Sequence, residues 1–292
     1  MPAISRSSDS RLGLLALILG ACAIGFAPIF VRLSEIGPVA TGFHRLAWSL
    51  PVFALMAWRA GEDMPNTRMA WGGLTASGLF FAGDLIVWHL GIMLTSVANA
   101  TLFSNLAPVF VTIGLWVIWG LRPSLRFVVA LTVTLAGAVM LMGGSFTVST
   151  ARLTGDALSM LSGLFYGGYI IAVGRMRASV ATSVLMLVGG AIGALAVLAA
   201  ALALGETVMP VTVRGWAMVV GLGLVSQVGG QGLIAWGLKH LPASFGALVL
   251  SVQPVVAAAV AWGLFGEVLG PFELVGAGIV LVGIHLARRA NA

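Results

Sequence analysis

Polar residues break this chain at short intervals. Between the breaks lie apolar runs of about twenty residues, the length that carries an α-helix across the roughly 30 Å hydrocarbon core of a bilayer. The runs fall at 12–31, 39–58, 69–91, 97–119 and 125–144, then at 155–174, 180–204, 215–238, 242–265 and 271–287. The pattern predicts an all-α integral membrane protein of ten transmembrane helices with short loops and no soluble domain. The longest connection, 144–154, joins two halves of five helices, residues 1–147 and 148–292.

The stretch 99–141 is written twice. Shifted by 146 positions, Pro108, Trp116, Gly120 and Gly137 fall on Pro254, Trp262, Gly266 and Gly283, so both copies read Pro-x7-Trp-x3-Gly-x16-Gly without a gap. Chance alignment of the small residues that gather at membrane helix contacts accounts for glycines more readily than for the Pro–Trp pair. Gly20, Gly25 and Arg32 of helix 1 match Gly163, Gly168 and Arg175 of helix 6 at a spacing of 143. Trp71 and Trp88 of helix 3 have counterparts in Trp216 and Trp236 of helix 8, whereas helices 2 and 7 show no match. A duplicated membrane unit is the sequence signature of a transporter.

Charge sets the orientation. With the N-terminus inside, Arg6, Arg11, Arg59, Arg68, Arg122, Arg126, Arg175, Arg177, Lys239, Arg288 and Arg289 are cytoplasmic, and Arg32, Arg152 and Arg214 are outside. The positive-inside rule therefore predicts cytoplasmic termini at both ends of a multi-pass protein of the inner (cytoplasmic) membrane. An odd number of spans per half inserts the second half upside down. Arg6 and Arg11 before an apolar run, with Leu19-Gly20-Ala21-Cys22, imitate a lipoprotein signal. The run continues to Val31, long enough to span, and is read as the first transmembrane helix.

Composition agrees. The chain is 60% hydrophobic and 8% charged, against roughly 25% charged in soluble domains, and its mean hydropathy is +1.08. The net charge of +6 is explained by loop Lys and Arg and points to a lipid bilayer, not to nucleic acid. One cysteine, Cys22, permits no intrachain disulfide and suggests no metal cluster. No G-x-x-x-x-G-K-[ST] loop occurs, so neither ATP nor any other cofactor is expected.

Two inverted five-helix halves, each ending in a Pro-x7-Trp-x3-Gly helix and a Gly-rich helix, resemble the drug/metabolite transporter superfamily, EamA type. Gly266-Glu267 is similar to the family pattern, and the first half departs from it with Gly120-Leu121-Arg122. The resemblance covers nearly the whole chain and implies a metabolite exporter. Within the superfamily, overall length and topology are similar to the YddG-like aromatic amino-acid exporters.

Polar residues inside spans are costly and functional suspects by default. Arg45 and Asp84 each lie about seven residues, or roughly 10 Å of helical rise, from the outer ends of helices 2 and 3. Equal depth allows an ion pair, which either locks the two helices together or gates and contacts solute; the third reading is that the two residues make no contact. Thr101, Asn105, Pro108 and Thr112 share one face of helix 4. Pro108 and Pro254 predict helix kinks, and Asn105 and Ser251, symmetric in the repeat, predict polar contacts at the midplane. Interhelical hydrogen bonding is the structural alternative. Gln227 and Gln231 suggest a water-lined face of helix 8. Ser162 shares a face of helix 6 with Tyr166 and Tyr169, the two tyrosines of the chain, which either bind ligand or pack. Trp88 shares a face with Asp84 and offers an apolar or cation–π wall. The four histidines read first as structural, with proton coupling through His89 or Asp84 as the alternative.

These residues predict a secondary transporter that exports small amphipathic solutes, amino acids above all, with aromatic and hydrophobic ones favoured, by alternating access through a cavity between the repeats. Drugs and other metabolites are the alternative cargo on the same fold. A monomer suffices in principle. A membrane enzyme would need convergent catalytic groups, and no H-E-x-x-H, G-x-S-x-G or second mid-span aspartate is present. A channel would need charged rings or a repeated filter.

Overall fold

The computed structural model describes residues 8–95, 97–142, 152–176, 179–265 and 270–290. Among the described residues there is no strand, and ten helical spans make up nearly all of the fold. α1 is Ser8–Gly25 with Ala27–Arg32, α2 is Pro38–Ala47 with Leu50–Ala60, and α3 is Arg68–Leu94. α4 is Val97–Ser104 with Ala107–Trp119, and α5 is Leu125–Met142. In the second half, α6 is Leu153–Met176 and α7 is Thr182–Ala203. α8 runs through Val213–Gly221, Leu222–Gln231 and Gly232–His240, and α9 through Ala243–Val249, Leu250–Val252 and Gln253–Phe265. α10 is Pro271–Ala290. Seven spans, α1, α3, α4, α6, α7, α8 and α10, are each long and apolar enough to cross a membrane, while Leu125–Leu141 and Ala243–Val256 are shorter apolar helices. The domain boundary at 147/148, Gly266, Glu267, Arg6, Arg177 and the Trp262 side chain lie outside the described residues.

Proline explains most of the interruptions, because it lacks the amide that would bond back one turn. Pro28, Pro51 and Pro108 each open the second segment of their helix at its first or second position. α2, expected as one unbroken helix, is therefore interrupted at Trp48–Ser49. α8 has no proline, and its middle segment Leu222–Gln231 is instead wound as a π-helix.

The helix pairings come in sets that survive exchange of the halves. α3 packs on α6 as α8 packs on α1, α4 packs on α6 as α9 packs on α1, and α2–α7, α4–α9 and α5–α10 pair across. That is the contact pattern of a pseudo-twofold axis between two copies of one unit.

Glycine crossings give the register. A Cβ at Gly13 or Gly237 would meet the other's carbonyl oxygen, at 3.3 and 2.7 Å. Gly155 and Gly91, their mates at spacings of 142 and 146, make the same crossing between α6 and α3, with a Gly91 Cβ placed 3.2 Å from the Gly155 oxygen. Thr67 and Thr212, 145 apart, cap α3 and α8 identically, each accepting the amide three residues on. The spacing thus grows from 145 at the start of α8 to 146 at Gly237, and the π-helix between them supplies the extra residue. α2 and α7, which show no match by sequence, end on left-handed glycines 144 apart, Gly61 (φ 61°) and Gly205 (φ 69°). Each is followed by a glutamate whose amide bonds back, Glu62 to the Ala57 carbonyl and Glu206 to that of Ala201, both at 3.0 Å.

Two expectations change. The α1–α6 packing equates residues 142 apart rather than 143, and the mate of Trp88 is Ile234, not Trp236. Small residues allow sequence alignments that slip by one, and only backbone contact separates them.

Glutamates join the halves at the end where α2 and α8 begin. Glu206 accepts from the amides of Val39 (3.3 Å) and Ala40 (2.7 Å) in the first turn of α2. Glu35, in the α1–α2 loop, accepts from the amides of Val211 and Thr212 and from the Thr212 hydroxyl, at 2.6, 2.8 and 2.7 Å. Those bonds, the Thr212 amide first, hold the Glu35 carboxyl below its ordinary pKa.

Candidate functional site

A cavity of about 110 Å³ lies on the pseudo-twofold axis, roomy enough for several waters, since one needs roughly 10–15 Å³. Five mate pairs line it from both halves: Ile24/Tyr166, Leu85/Gln231, Thr101/Ala247, Ser104/Leu250 and Ala107/Gln253. Apart from Ser162, every other lining residue belongs to the first half, among them Ala27, Pro28, Arg45, Phe81, Asp84, Trp88, Asn105 and Pro108. The cavity is therefore centred between the halves but extends only toward the end where α1 finishes and α2 begins.

The charges break the symmetry. Arg45, 7% exposed, donates from Nε to the Gln227 Oε1 at 3.0 Å, and its guanidinium carbon sits 5.4 Å from the centre of the Phe81 ring. Asp84 accepts from the Ser162 hydroxyl at 2.5 Å. Both charged groups face the cavity, but the expected direct ion pair is not formed, because each is held by a neutral partner from the second half. The contacts of Gly78 with Gly189 and of Gly223 with Arg45 make Gly189 the mate of Arg45. At the 142 and 146 spacings the mates of Ser162 and Asp84 are Gly20 and Gly230, whose close crossing leaves no room for side chains.

Phe81, Tyr166 and Tyr169 form an aromatic wall: the tyrosine rings stack 5.8 Å apart at 10°, and Phe81 lies 4.9 Å from Tyr169. Tyr166 lines the cavity and donates to the Gln231 Oε1 at 3.5 Å. Tyr169 and Gln227 line a separate chamber of about 10 Å³ on the far side of Phe81, beside Ser77 and Met186. The buried Nε2 atoms of Gln231 and Gln253, both lining residues, have no protein partner.

Of the remaining sequence candidates, Thr101, Asn105 and Trp88 line the cavity. Asn105 also donates to the Thr101 carbonyl at 2.8 Å, closing the turn before Pro108. The Ser104 carbonyl freed by that proline packs against Gly163. Ser251 is buried with its hydroxyl unpartnered and does not reach the cavity, which is met instead by Leu250 and Gln253 on either side. All three α9 lining residues are mates of α4 ones, and α9, with its 3₁₀ turn Leu250–Val252, differs only in leaving Ser251 and Pro254, the mates of Asn105 and Pro108, off the cavity. Sequence reasoning missed Phe81, Gln253 and the α1 stretch around Pro28. Gln253 and Pro28 carried a readable sign, a helix-breaking proline at or beside the position, whereas Phe81 had none.

A ten-helix, two-repeat bundle with a mixed polar and apolar cavity on its axis defines a membrane transporter. The EamA-like transporter family model matches the chain twice, over residues 11–143 and 153–289, and the chain belongs to that family. It is accordingly a transporter rather than an enzyme, working on a small-molecule solute in a lipid bilayer. A protein of Archaeoglobus fulgidus described as an uncharacterized transporter is 26% identical over 280 residues, covering 96% of this chain and 97% of that one. A solved crystal structure superposes with a TM-score of 0.80 at 20% identity, covering 97% of this chain and 99% of that one, a likeness of fold.

Proposed function

We propose that this transporter exports amino acids, aromatic and hydrophobic ones above all, by alternating access about the central cavity. The supporting observation is the separation of Arg45 and Asp84 on one cavity wall. Opposite charges left unpaired in a low-dielectric site are costly unless a ligand completes them. A zwitterion does so at both ends, its carboxylate on the guanidinium fork and its ammonium on the aspartate. Gln231 and Gln253 supply free amide donors, and Trp88, Phe81 and Tyr166 supply the apolar wall for a side chain. Residues 1–147 and 148–292 act as the two rocking units. Both termini lie in the cytoplasm of a cell whose inner membrane holds the protein, so the cavity extends outward.

The test is counterflow in proteoliposomes. Vesicles loaded with unlabelled tryptophan, phenylalanine or leucine are expected to accumulate the labelled amino acid, with competition lost for the amides and for the N-acetyl derivatives. No counterflow for any amino acid, with counterflow for an uncharged or purely cationic drug, would reject the proposal.

A further inference from the structure

The glutamates after the left-handed glycines that end α2 and α7 occupy equivalent places in the two halves, but only one is in use. Glu206 caps the first turn of α2 through the amides of Val39 and Ala40. Its mate at a spacing of 144 is Glu62, and the mates of Val39 and Ala40 are Ser183 and Val184, in the first turn of α7. Its N-cap residue, Ala181, supplies no side-chain cap, as Gly37 supplies none to α2, and its opening amides lack intrahelical acceptors as in any helix. The Glu62 Oε2 and the Ser183 hydroxyl are both buried without a hydrogen-bond partner. The used latch stands at the end toward which the cavity extends, and the idle one at the opposite end.

We infer that Glu206 and Glu62 are alternating latches, Glu206 closed in the state seen here and Glu62 closed in the opposite one. In an inverted repeat the second state arises when the halves exchange conformations, so a contact made by one half passes to its mate. The Glu206 latch holds the start of α2 back against the α7–α8 loop, where the Gly37 amide also donates to the Thr207 carbonyl at 3.2 Å. The exchanged state brings Glu62 onto the Ser183 hydroxyl and the Val184 amide. The second latch is not a copy of the first. A Cβ at Gly37 would collide with Glu206, and the mate of Gly37 is Ala181. Glu62 therefore takes a different pose, for which Ser183 provides a hydroxyl donor where the first half has Val39. An acceptor carboxylate on helix N-terminal amides is also favoured by the helix dipole.

The inference rests on the alternating access proposed above, and the experiment separates the two. In a Cys22→Ser background, A27C reports the cavity of the present state, since Ala27 lines it. I170C reports the opposite state, since Ile170 is the buried mate of the lining residue Pro28 at a spacing of 142. A hydrogen-bonded charge lost from one state shifts the balance by about tenfold. E206A is expected to slow labelling of A27C and speed labelling of I170C by a membrane-impermeant maleimide, and E62A to do the reverse. E206Q, the milder variant should E206A fold poorly, shifts both rates in the E206A direction by less. If I170C reacts but its rate ignores both glutamates, or both changes move it the same way, the latches are overturned and alternating access stands. If I170C stays unreactive in every variant, alternating access falls and the latches with it.

Discussion

Gly137 of α5 and Gly283 of α10 occupy equivalent places on the two sides of one helix crossing. A Cβ on Gly137 would lie 2.6 Å from the Val280 nitrogen, a Cβ on Gly283 would lie 2.7 Å from the Thr134 nitrogen, and residues 134 and 280 are themselves 146 apart. The spacing read from the sequence is thus built into a symmetric backbone contact. G137A and G283A are each expected to destabilise the detergent-solubilised protein by about 1–3 kcal/mol, with the double change less than additive because both spoil one contact. G278A, on the same helix with open space beside it, is the control and should leave the unfolding midpoint unchanged. Equal loss in all three variants would refute the close crossing.

Gln227 holds Arg45 without neutralising it. Q227L is expected to raise KM for an amino acid by about tenfold, the worth of one hydrogen bond to a charged group, with little change in maximal rate. Q227E discriminates further. If Arg45 receives the solute carboxylate, a glutamate at 227 competes for the guanidinium and impairs counterflow more than Q227L. If Arg45 only braces α2 against α8, Q227E is the better tolerated of the two.

The Glu35 clasp gives a pH dependence of known sign. Its carboxyl is held below the ordinary value, so its contribution to stability is present above the unfolded-chain pKa and is lost as pH falls through the lowered folded one. Melting temperature should decline on the acid side, and E35Q should flatten part of that decline while lowering stability at neutral pH. An unchanged acid limb in E35Q would remove the clasp from the account.

Cysteine accessibility tests the orientation. In a Cys22→Ser background, D63C and K239C, both at exposed positions, should react with impermeant thiol reagents only from the cytoplasmic face of membrane vesicles. M209C, 61% exposed, should react only from the other face. Labelling of D63C and M209C from the same side would contradict the inverted insertion.

Much of the architecture is legible in the sequence because crossing a bilayer imposes a local requirement. Each span must be apolar over about twenty residues, and the Pro-x7-Trp-x3-Gly repeat shows the unit to be duplicated. Asp84, Arg45, Gln231 and Tyr166 stand out for a similar reason, since polar groups are rare in such runs. Their partners do not stand out. Ser162 is one serine among many, and nothing near Gln227 announces that it meets Arg45, 182 residues away. The expected Arg45–Asp84 pair failed on this point, because equal depth along two helices does not determine which way each side chain turns.

By itself the sequence determined the number of spans, the duplication and the short list of intramembrane polar residues, all properties of single helices in lipid. The tertiary structure alone decided that the halves meet at spacings of 142, 144, 145 and 146 in different helices, and that the cavity charges sit opposite glycines. It also decided that Glu206 is engaged while Glu62 is not. A one-residue insertion barely changes hydropathy, yet inside an α-helix it turns the residues beyond it by about 100° unless a π-turn absorbs it. Which side chains share a cavity follows from those rotations once the backbones are in contact.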